Sequence, residues 1–240
     1  MKAFYKVSLV VAFSCLSVFV YGQQFNESDF GKFYLRLGVN LPQGHFKNAF
    51  DPEIPLYQNI DEKGGMSAKT GINVEFGKYY FLHEDPIQEM IKVGLDATFL
   101  SAGYHPIEWP GEAEENSLNL FTFSVKLGPV VSFNVMEDFY ADVFIKAVPT
   151  LITSSSGIYY FKEMSAGDES LDLFSDSPNI FALRSDIGVN LRYKKTSLTL
   201  SYESGKVKTS SWYSKGEDYM EYQGKMPMGI FQAKVGFQLY

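Results

Sequence analysis

The chain has 240 residues, of which 21 are basic and 28 acidic, for a formal net charge of −7. That balance offers no basic stripe for phosphates and argues against a nucleic-acid partner. The single cysteine, Cys15, excludes a disulfide framework and a thiolate metal site. Beyond residue 22 no apolar run is long enough for a membrane helix of about 20 residues, so any passage through a membrane would use strands.

Residues 1–22 read as a secretory signal peptide: Lys2 and Lys6, the apolar stretch Val7–Val20, then Val20-Tyr21-Gly22 ahead of Gln23. Cys15 falls inside that apolar core. A lipoprotein reading would acylate it, but Ala12-Phe13-Ser14 is a poor lipobox and the apolar run continues through Leu16–Val20. Without Lys2 and Lys6, 19 basic residues face 28 acidic ones, a balance of −9. An exported chain without disulfides needs another source of stability, and a closed barrel supplies one. Residues 23–240 read as that one domain.

Eight segments alternate apolar and polar residues with the period of two that puts neighbouring side chains on opposite strand faces. They are Phe33–Leu41, Lys69–Phe81, Ile91–Tyr104, a pair spanning Asn119–Leu151 around a break at Asn134–Asp138, Ile180–Lys194, Thr196–Val207 and Gly229–Tyr240. In the fourth, Phe121, Phe123, Val125, Leu127, Pro129, Val131 and Phe133 oppose Thr122, Ser124, Lys126, Gly128 and Ser132, with Val130 as the exception. Most segments exceed the usual soluble strand of about five or six residues.

The connections alternate in length. The turns at His83–Glu89, Asn134–Asp138 and Lys194-Lys195 are short, whereas Pro42–Ala68, His105–Leu118, Thr153–Asn179 and Lys208–Met228 are long. Even strand number, short turns at one end and long loops at the other describe a bacterial outer-membrane barrel, with both termini on the short-turn, periplasmic side. Aromatic residues near strand ends (Tyr79, Tyr80, Phe81, Tyr104, Trp109, Phe133, Phe139, Tyr140, Tyr159, Tyr160, Trp212, Tyr213) read as interface girdles. The expected fold is therefore all-β, an eight-stranded antiparallel up-and-down transmembrane β-barrel of outer-membrane type. A soluble, lipocalin-like ligand carrier is the competing barrel, because alternation alone does not say which face points inward.

The polar faces carry Arg36, Lys92, Lys126, Lys146, Arg184, Arg192 and Lys234, together with Glu75, Asp96, Asp142, Asp186 and Glu203. Eight strands leave a lumen just filled by side chains, so these charges are expected to pair into a structural ionic network; a polar pore or proton path is the other reading. The long loops hold the acidic excess, at −2, −4, −4 and 0 in chain order. Divalent cations bridging such loops to lipopolysaccharide are one reading and plain solvation is the other. No spacing matches a calcium loop or calls for a cofactor. A rim-active lipid-modifying enzyme would need a His–Ser–acid constellation, for which His45 and His105 with Ser101, Ser117 and Glu108 are the candidates. The expectation is a non-enzymatic barrel.

The strand Phe33-Tyr34-Leu35-Arg36-Leu37-Gly38-Val39-Asn40, the glycine-containing strands Val125-Lys126-Leu127-Gly128-Pro129 and Ser185-Asp186-Ile187-Gly188-Val189-Asn190-Leu191, and the terminal Ala233-Lys234-Val235-Gly236-Phe237 resemble the outer-membrane β-barrel domain family of Bacteroidota that includes the PorT-like proteins. The resemblance implies residence in the cell outer membrane, with lipids and lipopolysaccharide as surroundings and envelope or secretion-complex proteins as partners. One departure is that Tyr240 falls in register with Gln238 and Gly236 instead of with Phe237 and Leu239.

Overall fold

The computed structural model describes residues 33–47, 67–82, 90–108, 118–154, 158–162, 170–174, 179–215 and 218–239. The signal-peptide segment, His83, Trp109, Ser117 and Tyr240 lie outside the described residues, as do the side chains of His45, Glu108, Tyr159, Tyr160, Trp212 and Tyr213.

Eight long strands make the wall: β1 (Phe33–Gln43), β2 (Gly71–Phe81), β3 (Ile91–Glu108), β4 (Leu118–Met136), β5 (Phe139–Ser154), β6 (Asn179–Tyr193), β7 (Thr196–Lys215) and β8 (Asp218–Gln238). Each pairs antiparallel with its sequence neighbour, and β8 returns to β1 through pairs such as Leu37↔Val235, which closes the barrel. Closure satisfies every edge, which a chain in hydrocarbon requires. The short connections are tight: Asp138 (φ 61°) and Lys194 (φ 52°) adopt the left-handed backbone that two-residue hairpin turns use. β4 continues to Met136, so the Asn134–Asp138 break contracts to Glu137-Asp138.

Burial settles which face points inward. Leu37 on β1, Ile72 on β2, Leu95 on β3, Leu127 on β4, Ile145 on β5, Ile187 on β6, Leu198 on β7 and Val235 on β8 are all exposed, while the charged residues opposite them are buried. An apolar belt round the outside and polar groups within is the inside-out arrangement of a transmembrane barrel, and it overturns the cavity-lining alternative for these faces.

Three expectations need correction. The pairing of β7 with β8 does not stop at Val207 but runs to Lys215↔Asp218, so most of Lys208–Met228 is strand. Once two neighbours are in register, each added backbone pair is local, and no apolar face is needed to continue it. Within Thr153–Asn179, Ile158–Lys162 pairs with Ser170–Phe174, and Phe174 meets β7 at Trp212. Finally, the β3–β4 ladder shifts between Thr98 and Ser101. This bulge reverses the parity of β3: Asp96 and Thr98 face inward below it, Ser101 and His105 above it, while Tyr104 is half-buried on the outside against Phe121.

Candidate functional site: a charged, sealed interior

The interior forms three zones. In the middle, Lys126 extends from β4 to Glu75 (2.8 Å), Glu203 (2.8 Å), Asp186 (3.2 Å) and the Gln232 amide oxygen (3.2 Å). Lys234 donates to Glu75 at 2.7 Å, Arg184 pairs with Glu203 at 2.5 Å, and Lys146 pairs with Asp96 at 2.7 Å. Arg36 lies 3.7 Å from both Glu75 and Asp96, with its guanidinium 3.8 Å from the Tyr34 ring centre. The Tyr34 hydroxyl donates to Asp96 at 2.6 Å, and Arg36 donates to the Tyr79 hydroxyl. Burying this many charges is tolerable only because neighbours of opposite sign hold each one.

Toward the short-turn end, Arg192 grips Asp142 with two parallel bonds, Nε to Oδ2 at 2.7 Å and Nη2 to Oδ1 at 2.8 Å. Asn190 bridges this pair to the central network by donating to both Asp142 and the Tyr79 hydroxyl, each at 2.9 Å. Eleven of the twelve charged residues named from the polar faces are thus buried and ion-paired. Lys92 is the other: it is half-buried at the mouth, its ammonium 6.0 Å from the Phe81 ring.

Toward the long loops the polar face gives way to an apolar seal. Ile107, Leu120, Ile152, Ala182, Val207, Met228 and Ile230 from six of the strands converge inside, and Phe46, from a single 3-10 turn (Gly44–Phe46) after β1, inserts among them. Beneath the seal, Asn40 accepts from Asn73 (2.6 Å) and from Gln232 (3.0 Å), and its amide nitrogen lies 3.2 Å from His105 Nε2. Among the described residues these layers fill the lumen with side chains, as eight strands allow.

The strand-end aromatics divide between the two faces. Tyr79, Phe81 and Tyr140 face inward instead of joining a girdle: Tyr79 is buried against Tyr34 at 5.2 Å, and Phe81 and Tyr140 line the mouth. Val130, the break in the β4 alternation, is buried with Phe144, Tyr34 and Tyr79. Tyr34 can reach the network because its partner is Gly77. A β-carbon at Gly77 would run into the Tyr34 hydroxyl and the Ala97 carbonyl. Gly77→Ala should therefore cost about 1–3 kcal/mol through forced displacement, measured as a lower urea midpoint for unfolding from vesicles.

Of the candidate lipid-modifying constellation, the described residues His105 and Ser101 are not brought together. His105 is fully buried beneath the seal, edge-on to Phe46 at 5.5 Å, and is a strand residue rather than the start of a loop. Ser101 faces inward on the same strand four residues away, about 13 Å at strand rise, and its hydroxyl is directed to Glu75 at 3.5 Å.

No family model matches the chain, and a comparison with curated proteins finds no match. Several solved barrels are similar in architecture. Ail, the attachment invasion locus protein of Yersinia pestis, shares 15% identity at a TM-score of 0.39, over 87% of this chain and 99% of that one. The outer membrane protein OprG of Pseudomonas aeruginosa shares 10% identity at 0.42, over 88% and 96%. The outer membrane enzyme PagL shares 12% identity at 0.39, over 86% and 99%.

Proposed function

We propose that the chain is a non-enzymatic, non-conducting barrel of the bacterial outer membrane, which acts through its long loops while its interior serves as a rigid ionic strut. The observation that carries this reading is the filled lumen: charge network below, apolar seal above, and an apolar belt outside. Lipid acyl chains cover the belt. The acidic loops face outward, where they meet lipopolysaccharide, directly or through divalent cations, and other envelope proteins. The resemblance to PorT-like barrels of Bacteroidota, carried by strands such as Phe33–Asn40, supports a part in envelope assembly or secretion.

Two measurements test this. The protein should fractionate with the outer membrane and migrate faster unboiled than boiled, as closed barrels do; a soluble periplasmic protein would refute the location. In planar bilayers it should give no stable single-channel steps, and well-defined unitary conductance would refute the sealed interior.

A further inference from the structure

The β4–β5 seam lacks backbone bonds that the β5–β6 seam beside it keeps. From Ser124↔Thr150 to Val130↔Phe144 the register is unshifted, yet Leu127↔Ala147 is the one pair that remains between them. Each gap contains a proline. In this register Pro149 stands opposite Val125, and Pro129 stands opposite Ile145. Both prolines keep their pairing on the far side, Leu95↔Pro129 with β3 and Pro149↔Leu183 with β6. Opposed residues of antiparallel strands alternate between exchanging hydrogen bonds and exchanging none. The far sides are therefore the positions that exchange none, and the N–H that each proline lacks faces the β4–β5 seam. Val125 and Ile145 lose the donor the ladder would supply to their carbonyls. Both stand on the lipid-facing belt, where no water replaces it. Proline inside a sheet belongs at edges and bulges, and this stretch is neither.

What holds the seam lies inside the barrel. Lys146 of β5 reaches past β4 to β3, where it meets Asp96 (2.7 Å) and Thr98 (3.3 Å). Lys126 of β4 reaches past β5 to Asp186 of β6 at 3.2 Å. The two contacts cross behind the seam, and each ties one of its strands to the strand beyond the other. They are level with the gaps: the inward residues left unpaired there are Lys126 opposite Val148 and Gly128 opposite Lys146. A hydroxyl bond between Ser124 and Thr150 (3.0 Å) closes the long-loop end. Ion pairs shielded from water resist separation more strongly than exposed ones.

We propose that the β4–β5 seam is a latched joint: two prolines uncouple the backbones, and the crossed lysines Lys126 and Lys146 hold it shut. The ionic network then has a task beyond filling the lumen. When its lysines let go, the wall parts at this seam ahead of the β5–β6 seam. The device resides in the wall and does not depend on what the loops do.

Amide hydrogen exchange of the full barrel in lipid nanodiscs, resolved by residue with NMR, tests the joint. Leu127, Ile145 and Ala147 donate across the seam, while Phe144 and Val148 donate across the complete β5–β6 ladder. The seam amides should exchange roughly tenfold faster or more than those two. Pro129→Val/Pro149→Val restores both donors, and should slow the seam by a similar factor while leaving Phe144 and Val148 unchanged. Lys146→Gln should speed seam exchange further in the proline-containing barrel and have little effect once the valines are present. Unboiled gel mobility verifies each fold. If Lys146→Gln alone does not fold, adding the two valines should restore the folded form. Equal exchange in the two ladders, or seam exchange unmoved by the valines, would overturn the joint. The latch would be overturned if Lys146→Gln acted equally with and without the prolines, sped both ladders alike, or stayed unfolded with the valines present.

Discussion

Replacing Lys126 with methionine should destabilise the barrel by about 3–5 kcal/mol, the cost of leaving buried charge without its partner. Lys126 reaches carboxylates on three other strands, and the loss falls unequally on them. Glu75 retains Lys234, and Glu203 retains Arg184. Asp186 has no other ion pair among the described residues, and its Oδ1 has no hydrogen-bond partner there. Most of the cost should therefore be the stranded Asp186 charge. Adding Asp186→Asn should recover more than half of the loss in urea unfolding from vesicles. Equal destabilisation in single and double variants would show that Lys126 acts through packing alone.

Arginine at Ile145 should cost about 2–4 kcal/mol, the penalty for a cation on the lipid face near the bilayer midplane. Ile145 is 52% exposed, midway along β5 and opposite Ile187. In a water-soluble barrel an exposed isoleucine would accept arginine within about 0.5 kcal/mol. Leu183→Arg, nearer the long-loop end of β6, should cost only about 0–1 kcal/mol as the side chain reaches the interface. A depth-dependent series of this kind cannot arise from β-propensity, which is the same along a strand.

Much of this architecture was legible as parity. Lys126, Asp142, Lys146, Arg184, Asp186 and Glu203 stood at polar positions of two-faced strands, and each of these side chains is buried inside. What parity could not show is a local change of parity. At Phe99-Leu100 two apolar residues straddle the bulge, and nothing in their chemistry marks it, so His105 read as a loop residue when it is an interior one. The apolar seal was hidden for a related reason. Leu120, Ile152 and Ala182 are inward residues near strand ends, and an apolar residue on the polar face does not by itself say what it meets across the lumen. Their common destination depends on how eight staggered strands meet, which no single segment encodes. Tyr79 was misplaced because aromatic character near a strand end suits both a girdle and a buried ring, and only the Gly77–Tyr34 packing decides between them. The long β7–β8 extension was unreadable because Ser- and Lys-rich sequence outside the belt carries no alternation.

The central claim, a barrel with lipid outside and a packed, dry interior, is tested most directly along β5. The chain's one cysteine, Cys15, precedes the barrel and is replaced by serine. Single cysteines are then placed from Ala141 to Val148 and spin-labelled in vesicles. The structure exposes Val143, Ile145 and Ala147 and buries Asp142, Phe144, Lys146 and Val148. The first set should collide with lipid-soluble oxygen and not with a water-soluble nickel chelate, and the second set should be immobile and shielded from both. Nickel accessibility at Val143, Ile145 and Ala147 would contradict the account.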